Sequence, residues 1–253
     1  MEGDTEVRRR IGLLDGAPPG ATTDPDRSGL SDLITLVRVM GGITNTYYVG
    51  LYDNIPRGRA EELDRIVAEN QLVQRLPETS GVQLWTGVSS SKLAPSRLEG
   101  SPAEATFRSA IETSEPAVKP TTFGLYTSTR VQEPEVSAWR LYLETYGGSL
   151  FPKPWRTYEL TVTRGARIYE IPNAQAWVEL VQRYPVTRAD LVYPDWKEIS
   201  HTYDGVRLTW PAIIAIQGIR LAIGEQFIAD GYWDAETTLW LNWPFTGVHP
   251  IQA

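Results

Sequence analysis

Three observations predict an α+β fold for this sequence. The chain has 253 residues, 42% hydrophobic and 22% charged, with 21 Gly and 18 Pro. That balance supports a buried core and lies far from the apolar-poor, highly charged compositions that stay disordered. Several segments repeat apolar residues at helical spacing between start and stop signals, and others are short β-branched or aromatic runs bounded by turn residues. No internal repeat appears, and the length suits one domain over 30–253 behind a loose start.

Residues 1–29, which include GAPPGATTDPDRSG, have no periodic apolar pattern and read as a flexible arm. A helix is expected from Ser31, with Leu33, Ile34, Leu36, Val37, Val39 and Met40 leading into Gly41-Gly42. A short extended run follows at 47–52. The segment 59–76 places Leu63, Ile66, Val67, Leu72, Val73 and Leu76 on one helical face, with Pro77 as its stop. Residues 83–88 (QLWTGV) read as a strand. Ser101-Pro102-Ala103-Glu104 has the form of a capping box with Pro in the first turn, which predicts a helix to about residue 112. Residues 123–129 (FGLYTST) are a second strand, and 135–146 a helix ended by Gly147-Gly148.

The second half alternates faster. Runs at 158–163 and 167–171 flank Arg164-Gly165-Ala166 at the spacing of a hairpin. Asn173 is placed to cap a helix over 174–184, closed by Pro185. A short helix is expected at 194–201, a strand at 206–208, and a helix capped by Thr209, opened by Trp210-Pro211 and running to about Ile223. In the closing run 232–243, strict alternation sets Glu236, Thr238, Trp240 and Asn242 on one face of a strand.

Composition excludes several classes of function. With 24 Lys+Arg against 31 Asp+Glu the net charge is −7, so there is no global basic field for a nucleic-acid backbone, although a local basic groove is not excluded by a count. Zero Cys removes disulfides, thiolate-bound zinc, iron–sulfur clusters and thiol nucleophiles. The two histidines, His201 and His249, show no metal spacing, so no metal is expected. The longest apolar stretch, 210–223, is interrupted by Pro211, Gln217, Gly218 and Arg220, short of the ~20 residues a membrane span needs. The start carries acids and Arg8-Arg9-Arg10 and no apolar secretory core, so the cytoplasm is the default compartment and no membrane partner is expected. P-loop, dinucleotide Gly-x-Gly-x-x-Gly, Gly-x-Ser-x-Gly and His-Glu-x-x-His signatures are missing from the sequence.

Three segments carry small or polar residues where a purely structural strand favours bulk: Trp85-Thr86-Gly87, the run Gly124 to Thr129 with Arg130 after it, and Glu236. Their layout resembles the ADP-ribosyltransferase superfamily, in which an aromatic–Arg/His–Gly strand precedes a Gly-x-Tyr or Ser-Thr-Ser strand and a late strand carries a catalytic Glu. The resemblance implies split antiparallel β-sheets flanked by helices, with NAD as the substrate held between them. The tract from Gly124 to Glu144 is also similar to the RES-type NAD-degrading toxins, where a helix after an aromatic-Ser strand carries a functional Glu. Thr86 departs from the pattern, standing where the family has Arg or His; Arg130 is the cation nearest to replacing it.

On this resemblance Glu236 is the catalytic carboxylate and Ser128 its helper. Trp85, Thr86, Gly87, Gly124, Tyr126, Thr127, Arg130 and Trp240 bind the dinucleotide. Cleaving the nicotinamide–ribose bond develops positive charge on the sugar, which a neighbouring carboxylate stabilises more in the transition state than in the ground state. Gly87 and Gly124 allow close backbone approach, and Trp85 and Tyr126 offer flat faces for stacking. Each residue has a plainer reading: Glu236 as an exposed strand carboxylate, Ser128 and Thr127 as β-formers, Gly124 as a bulge, the aromatics as core. A glycosidase pair of Glu236 with Asp204 or Asp234 stays open as well.

The expected function is therefore ADP-ribose transfer to a macromolecule, protein or nucleic acid, or degradation of NAD. Toxins and effectors of this kind imply a cognate inhibitor protein as a partner. The alternative is a non-catalytic module in which a Trp-rich cleft holds a ligand or a protein segment. Of the nine Trp, four (Trp210, Trp233, Trp240 and Trp243) fall late in the sequence; core packing is the plainer reading for most, and Trp240, on the strand face of Glu236, is placed to line a cleft.

Overall fold

The computed structural model describes residues 54–55, 59–69, 81–88, 102–104, 114–120, 123–131, 136–147 and 151–251, with single positions 34, 37, 73 and 111. The predicted arm, the extended run at 47–52 and most of the predicted helices at 31–40 and 101–112 lie outside these residues. Ile34 and Val37, one turn apart, are helical and buried, and Glu104 sits in a 3-10 turn.

Strand β1 (Asn54–Ile55) precedes helix α1 (Arg59–Glu69), whose Leu63 and Val67 are buried on one face. Arg65 and Glu69 form an exposed i,i+4 pair on the other. Strands β2 (Gln83–Gly87) and β3 (Leu125–Thr129) match two predicted runs. Helix α2 (Ala138–Tyr142) starts at Ser137, whose hydroxyl accepts from the Arg140 amide, and widens into a π-helical turn over Leu143–Gly147.

Strands β4 (Arg156–Val162) and β5 (Ile168–Ile171) lead to helix α3 (Ala174–Arg183), where Asn173 Oδ1 accepts from the Ala176 amide at 2.8 Å as its residue type predicts. Next come β6 (Pro185–Arg188), β7 (Leu191–Pro194), helix α4 (Trp196–Thr202) and β8 (Gly205–Leu208). Helix α5 (Trp210–Ile216), β9 (Arg220–Ile223), β10 (Gln226–Ile228), β11 (Thr237–Trp240) and β12 (Phe245–Pro250) complete the described elements.

The architecture is α+β, with two mixed sheets flanked by helices. One sheet runs β12-β4-β2-β3-β11-β8-β5 and the other β1-β9-β10-β7-β6. The expectation of antiparallel sheets is corrected at three pairings: β5 with β8, β1 with β9 and β10 with β7 are parallel. The predicted hairpin of β4 and β5 is also overturned, since the two strands sit at the second and seventh places of the long sheet. Turn spacing identifies neighbours in sequence but does not choose partners. Val162 and Ile168 are six residues apart, a reach of about 21 Å. Five strand intervals across a flat sheet span about 24 Å, so the long sheet curves.

Helix α5 is shorter than predicted. Gly218 takes φ 63° and turns the chain into β9, a conformation glycine adopts without a Cβ clash. Thr209 does occupy the cap position, but its hydroxyl donates to the Ile171 and Pro172 carbonyls instead of capping.

A main core joins the helices to both sheets, with Ile171, Val206, Leu208 and Leu239 from the long sheet and Val192, Leu221 and Ile228 from the short one. A smaller cluster of Trp85, Leu125, Leu160, Trp240 and Phe245 covers the opposite face of the long sheet. Among the described residues no helix is long and apolar enough to cross a membrane.

One long-range contact organises the helices. Asp64 of α1 accepts from the Ala174 and Gln175 amides at 2.6 and 3.0 Å, satisfying donors that the first turn of α3 leaves unpaired. Burial raises the Asp64 carboxyl above its ordinary 3.8, and Glu61 adds to this, while the two amides pull the other way. A raised folded-state value means the native protein holds this proton more tightly than the unfolded chain does. The linked stability is thus complete below the ordinary value and is lost as pH rises through the folded one. Denaturation curves taken between about pH 3 and about pH 7 should show wild type losing stability relative to Asp64→Asn as pH rises past about 4. A parallel pair of pH profiles would show that Asp64 contributes nothing to them.

Candidate functional site

The three segments singled out in the sequence fall on adjacent strands. β2 pairs with β3, and β3 with β11, in the registers Gln83↔Thr129, Thr127↔Thr238 and Leu125↔Trp240. Glu236 is thereby set beside Thr129, one residue ahead of β11. Residues more than a hundred positions apart in the chain become hydrogen-bonded neighbours.

Alternation along each strand then sorts the predicted residues onto two faces. On the face away from the main core stand Trp85, Thr127, Trp240 and the Glu236 carboxylate. On the helix-facing side stand Thr86, Tyr126, Ser128 and Arg130. The predicted site is divided by the sheet itself.

Glu236 is 3% exposed, so its reading as a solvated strand carboxylate is corrected. Its Oε1 accepts from Thr129 Oγ1 at 2.8 Å and Arg207 Nε at 3.0 Å, and its Oε2 from the Thr129 amide at 3.0 Å. Arg207 Nη1 also donates to exposed Glu170 at 3.1 Å. A polar chain therefore crosses β5, β8, β11 and β3. Buried charge is tolerated here because it is paired and its carboxylate is hydrogen-bonded.

Ser128 does not reach that carboxylate. Its hydroxyl donates to the Glu236 main-chain carbonyl at 2.8 Å, from the opposite face of the sheet. The side-chain contact assigned to Ser128 belongs to Thr129, because in the run Thr-Ser-Thr it is the outer two that share a face. Thr127 joins Trp240 to Gln83: the indole N–H donates to Thr127 Oγ1 at 2.8 Å, and Thr127 donates to Gln83 Oε1 at 2.5 Å.

The aromatics and glycines have structural work. Trp85 lies 5.6 Å from Tyr158 in the smaller core, and fully buried Trp240 packs edge-on to Phe245 at 4.9 Å. The Tyr126 hydroxyl donates to the Pro120 carbonyl, and burial pushes its phenol well above the usual range. Gly124, at φ 77°, lies so close to β11 that a Cβ would stand 2.5 Å from Leu239 Cδ1 and 2.9 Å from the Trp240 carbonyl oxygen. Close packing of strands, not approach to a ligand, accounts for this glycine. Gly87 closes β2 opposite Arg156.

On the helix-facing side, Thr86 is buried and its hydroxyl meets Thr157 Oγ1 at 3.2 Å, to which Arg140 Nη1 donates at 3.4 Å. Arg140 Nε donates to Glu144 at 3.0 Å, and its guanidinium lies 5.1 Å from the Trp155 ring centre. Arg130 pairs with Glu159. The cation proposed to replace the missing Arg or His thus points away from Glu236.

Six of the nine tryptophans, Trp85, Trp177, Trp196, Trp210, Trp233 and Trp240, are core residues. Core packing, the plainer reading for most of them, thus holds, and Trp240, expected to line a ligand cleft, is itself fully buried. Of the other carboxylates, Asp204 accepts from the Arg167 amide and Asp234 pairs with Lys119. His201 lies against Glu198 at 3.5 Å on an exposed face.

No family model, curated protein or solved structure matches this chain.

Sequence reasoning passed over Thr129, Arg207, Gln83 and Glu170. Arg207 carried a signal, as the lone charge in the apolar strand Val206–Arg207–Leu208; such a residue needs a partner when its strand is buried. Thr129 was legible from alternation alone. Among the described residues no group of three or more His, Asp or Glu is placed to hold a metal ion.

Proposed function

We propose that this protein consumes NAD in the manner of the ADP-ribosyltransferases it resembles, with Glu236 as the carboxylate beside the scissile bond. The observation that carries this reading is the adjacency of β2, β3 and β11, with the Glu236 carboxylate held by Thr129 at the end of the Thr-Ser-Thr run. In the reaction the bond between ribose C1′ and the nicotinamide nitrogen breaks and its electron pair leaves on neutral nicotinamide. An acceptor hydroxyl, amine or water then forms the new bond at C1′ and gives up its proton to solvent. Glu236, held as a carboxylate partner of Arg207, faces the positive charge that develops on the sugar. The acceptor is a protein or nucleic acid, or water in the case of NAD degradation. A cognate inhibitor protein and a cytoplasmic site of action belong to the same reading.

Purified protein incubated with NAD is expected to release nicotinamide, and Glu236→Gln to lower the rate roughly 100-fold or more. Both proteins are to be shown folded at the assay temperature by circular dichroism. NAD left intact by folded wild type in the presence of protein and RNA acceptors sinks the proposal.

One observation favours the non-catalytic reading: the three hydrogen bonds on Glu236 and its 3% exposure suit a carboxylate that ties β3, β8 and β11 together. Under that reading Glu236→Gln lowers stability and has no NAD-dependent phenotype.

A further inference from the structure

A cationic cluster lies on the helix-facing side of the long sheet, across from the Glu236 carboxylate, where Arg140 of α2 reaches the start of β4. The Arg140 side chain is 15% exposed. Its Nε donates to Glu144 Oε1 at 3.0 Å, its Nη1 donates to Thr157 Oγ1 at 3.4 Å, and its guanidinium lies 5.1 Å from the centre of the Trp155 ring. That ring belongs to neither core cluster and is oriented by its indole N–H, which donates to the Phe151 carbonyl at 2.8 Å. Exposed Lys153 brings its Nζ to 5.0 Å from the same ring centre. The two cations are therefore no more than about 10 Å apart, within the screening length at ~0.1 M salt.

The cluster has more donors than acceptors. Of the five N–H groups of a guanidinium, one goes to Glu144 and one to Thr157, which leaves three without an acceptor among the described residues. Lys153 adds an ammonium that forms no ion pair among the described residues. The nearby Glu159, two residues along β4 from Thr157, pairs with Arg130. Two cations held against the Glu144 carboxylate leave the cluster positive in a chain whose net charge is −7. Such a surplus of donors suits an anion with several acceptor oxygens, which Arg grips through its fork and Lys meets as a point charge. A phosphate monoester presents about three such oxygens and up to about two charges, more than a carboxylate does.

We infer that Arg140 and Lys153 bind a phosphate dianion, either free or as the monoester of a nucleotide. Glu144, Thr157 and Trp155 hold the guanidinium in one orientation beforehand, so little rotamer freedom is lost on binding. Arg140 keeps some exposure and Lys153 is exposed, so the anion arrives from solvent without breaking an existing pair. The cluster and the Glu236 carboxylate are on opposite faces of the sheet, and the inference stands apart from the NAD reading.

Titration calorimetry of the full chain in a low-salt, phosphate-free buffer tests this with inorganic phosphate, AMP and NAD as probes. Wild type is expected to bind inorganic phosphate or AMP with a Kd below about 1 mM. Lys153→Ala, at an exposed position, should weaken that binding roughly twofold to fivefold. Arg140→Lys keeps the charge and loses the fork, and should weaken it roughly tenfold or more. Arg164→Ala removes an exposed cation from the turn after β4 and should leave the affinity unchanged. AMP binding more tightly than phosphate assigns a nucleotide, and AMP binding no more tightly assigns the free anion; both carry the inference. Circular dichroism checks folding, and Lys153→Ala carries the test if Arg140→Lys misfolds. Wild type that binds neither phosphate nor AMP overturns the inference, as does binding indifferent to both variants. Arg164→Ala weakening binding as much as Lys153→Ala overturns it as well, by showing an effect of diffuse charge. NAD affinity falling in step with phosphate affinity in Arg140→Lys also overturns it, because the same cations would then serve the dinucleotide.

Discussion

Glu236→Ala is expected to destabilise the protein by about 3–5 kcal/mol, the range for removing one partner of a buried ion pair. The substitution strands the Arg207 guanidinium, whose side chain is 22% exposed, and leaves the Thr129 amide and hydroxyl without their acceptor. Glu170 compensates little, because its pairing with Arg207 is at an exposed site. The double variant Arg207→Met/Glu236→Leu should recover most of the loss, since replacing both members of a buried pair with apolar groups is often neutral. Urea denaturation of wild type, Arg207→Met, Glu236→Leu and the double variant completes the cycle. A loss below about 1 kcal/mol for Glu236→Ala would mean the pair is solvated in the native protein. The same experiment bears on function, because a carboxylate that is expensive to remove and also required for NAD cleavage is held in place by the fold.

The second large effect belongs to Trp240. Trp240→Ala should cost about 3–5 kcal/mol, as it empties the centre of the smaller core and removes the donor that reaches Thr127. Trp240→Phe keeps most of the packing against Phe245 and costs less. Thr127→Val tests the polar half separately, by leaving the buried indole N–H and the Gln83 carbonyl without their shared partner. If Trp240→Ala and Thr127→Val were additive, the two residues would not be coupled through this bond, against the geometry. Denaturant midpoints with an unchanged slope are the readout.

Local chemistry was legible in the sequence where one residue settles it. Asn173 caps α3, the apolar spacing in 59–69 forms α1, and the alternation around Glu236 puts Thr238 and Trp240 on its face, as read. The strand ends at Trp240, however, and Asn242 leaves it to donate to the Ser200 and Tyr203 carbonyls. The errors share a cause. The hairpin of β4 and β5, the long form of α5 and the role of Ser128 were all inferred from neighbours in the chain. Each was decided by a partner far away: β8 for β5, the turn at Gly218 and strand β9 for α5, and the Glu236 carbonyl for Ser128.

The sequence by itself determined the α+β class, the Asn173-capped helix and the presence of a carboxylate among glycine-bearing and threonine-bearing strands. Those follow from conformational preferences and periodicities that act within a few residues. Only the tertiary structure decided that Glu236 meets Thr129 and Arg207, that Ser128 and Arg130 lie across the sheet from its carboxylate, and that Trp240 is fully buried. The physical reason is that alternation relates residues within one strand, whereas the choice of neighbouring strand, and hence of face, comes from burying apolar surface contributed by distant parts of the chain.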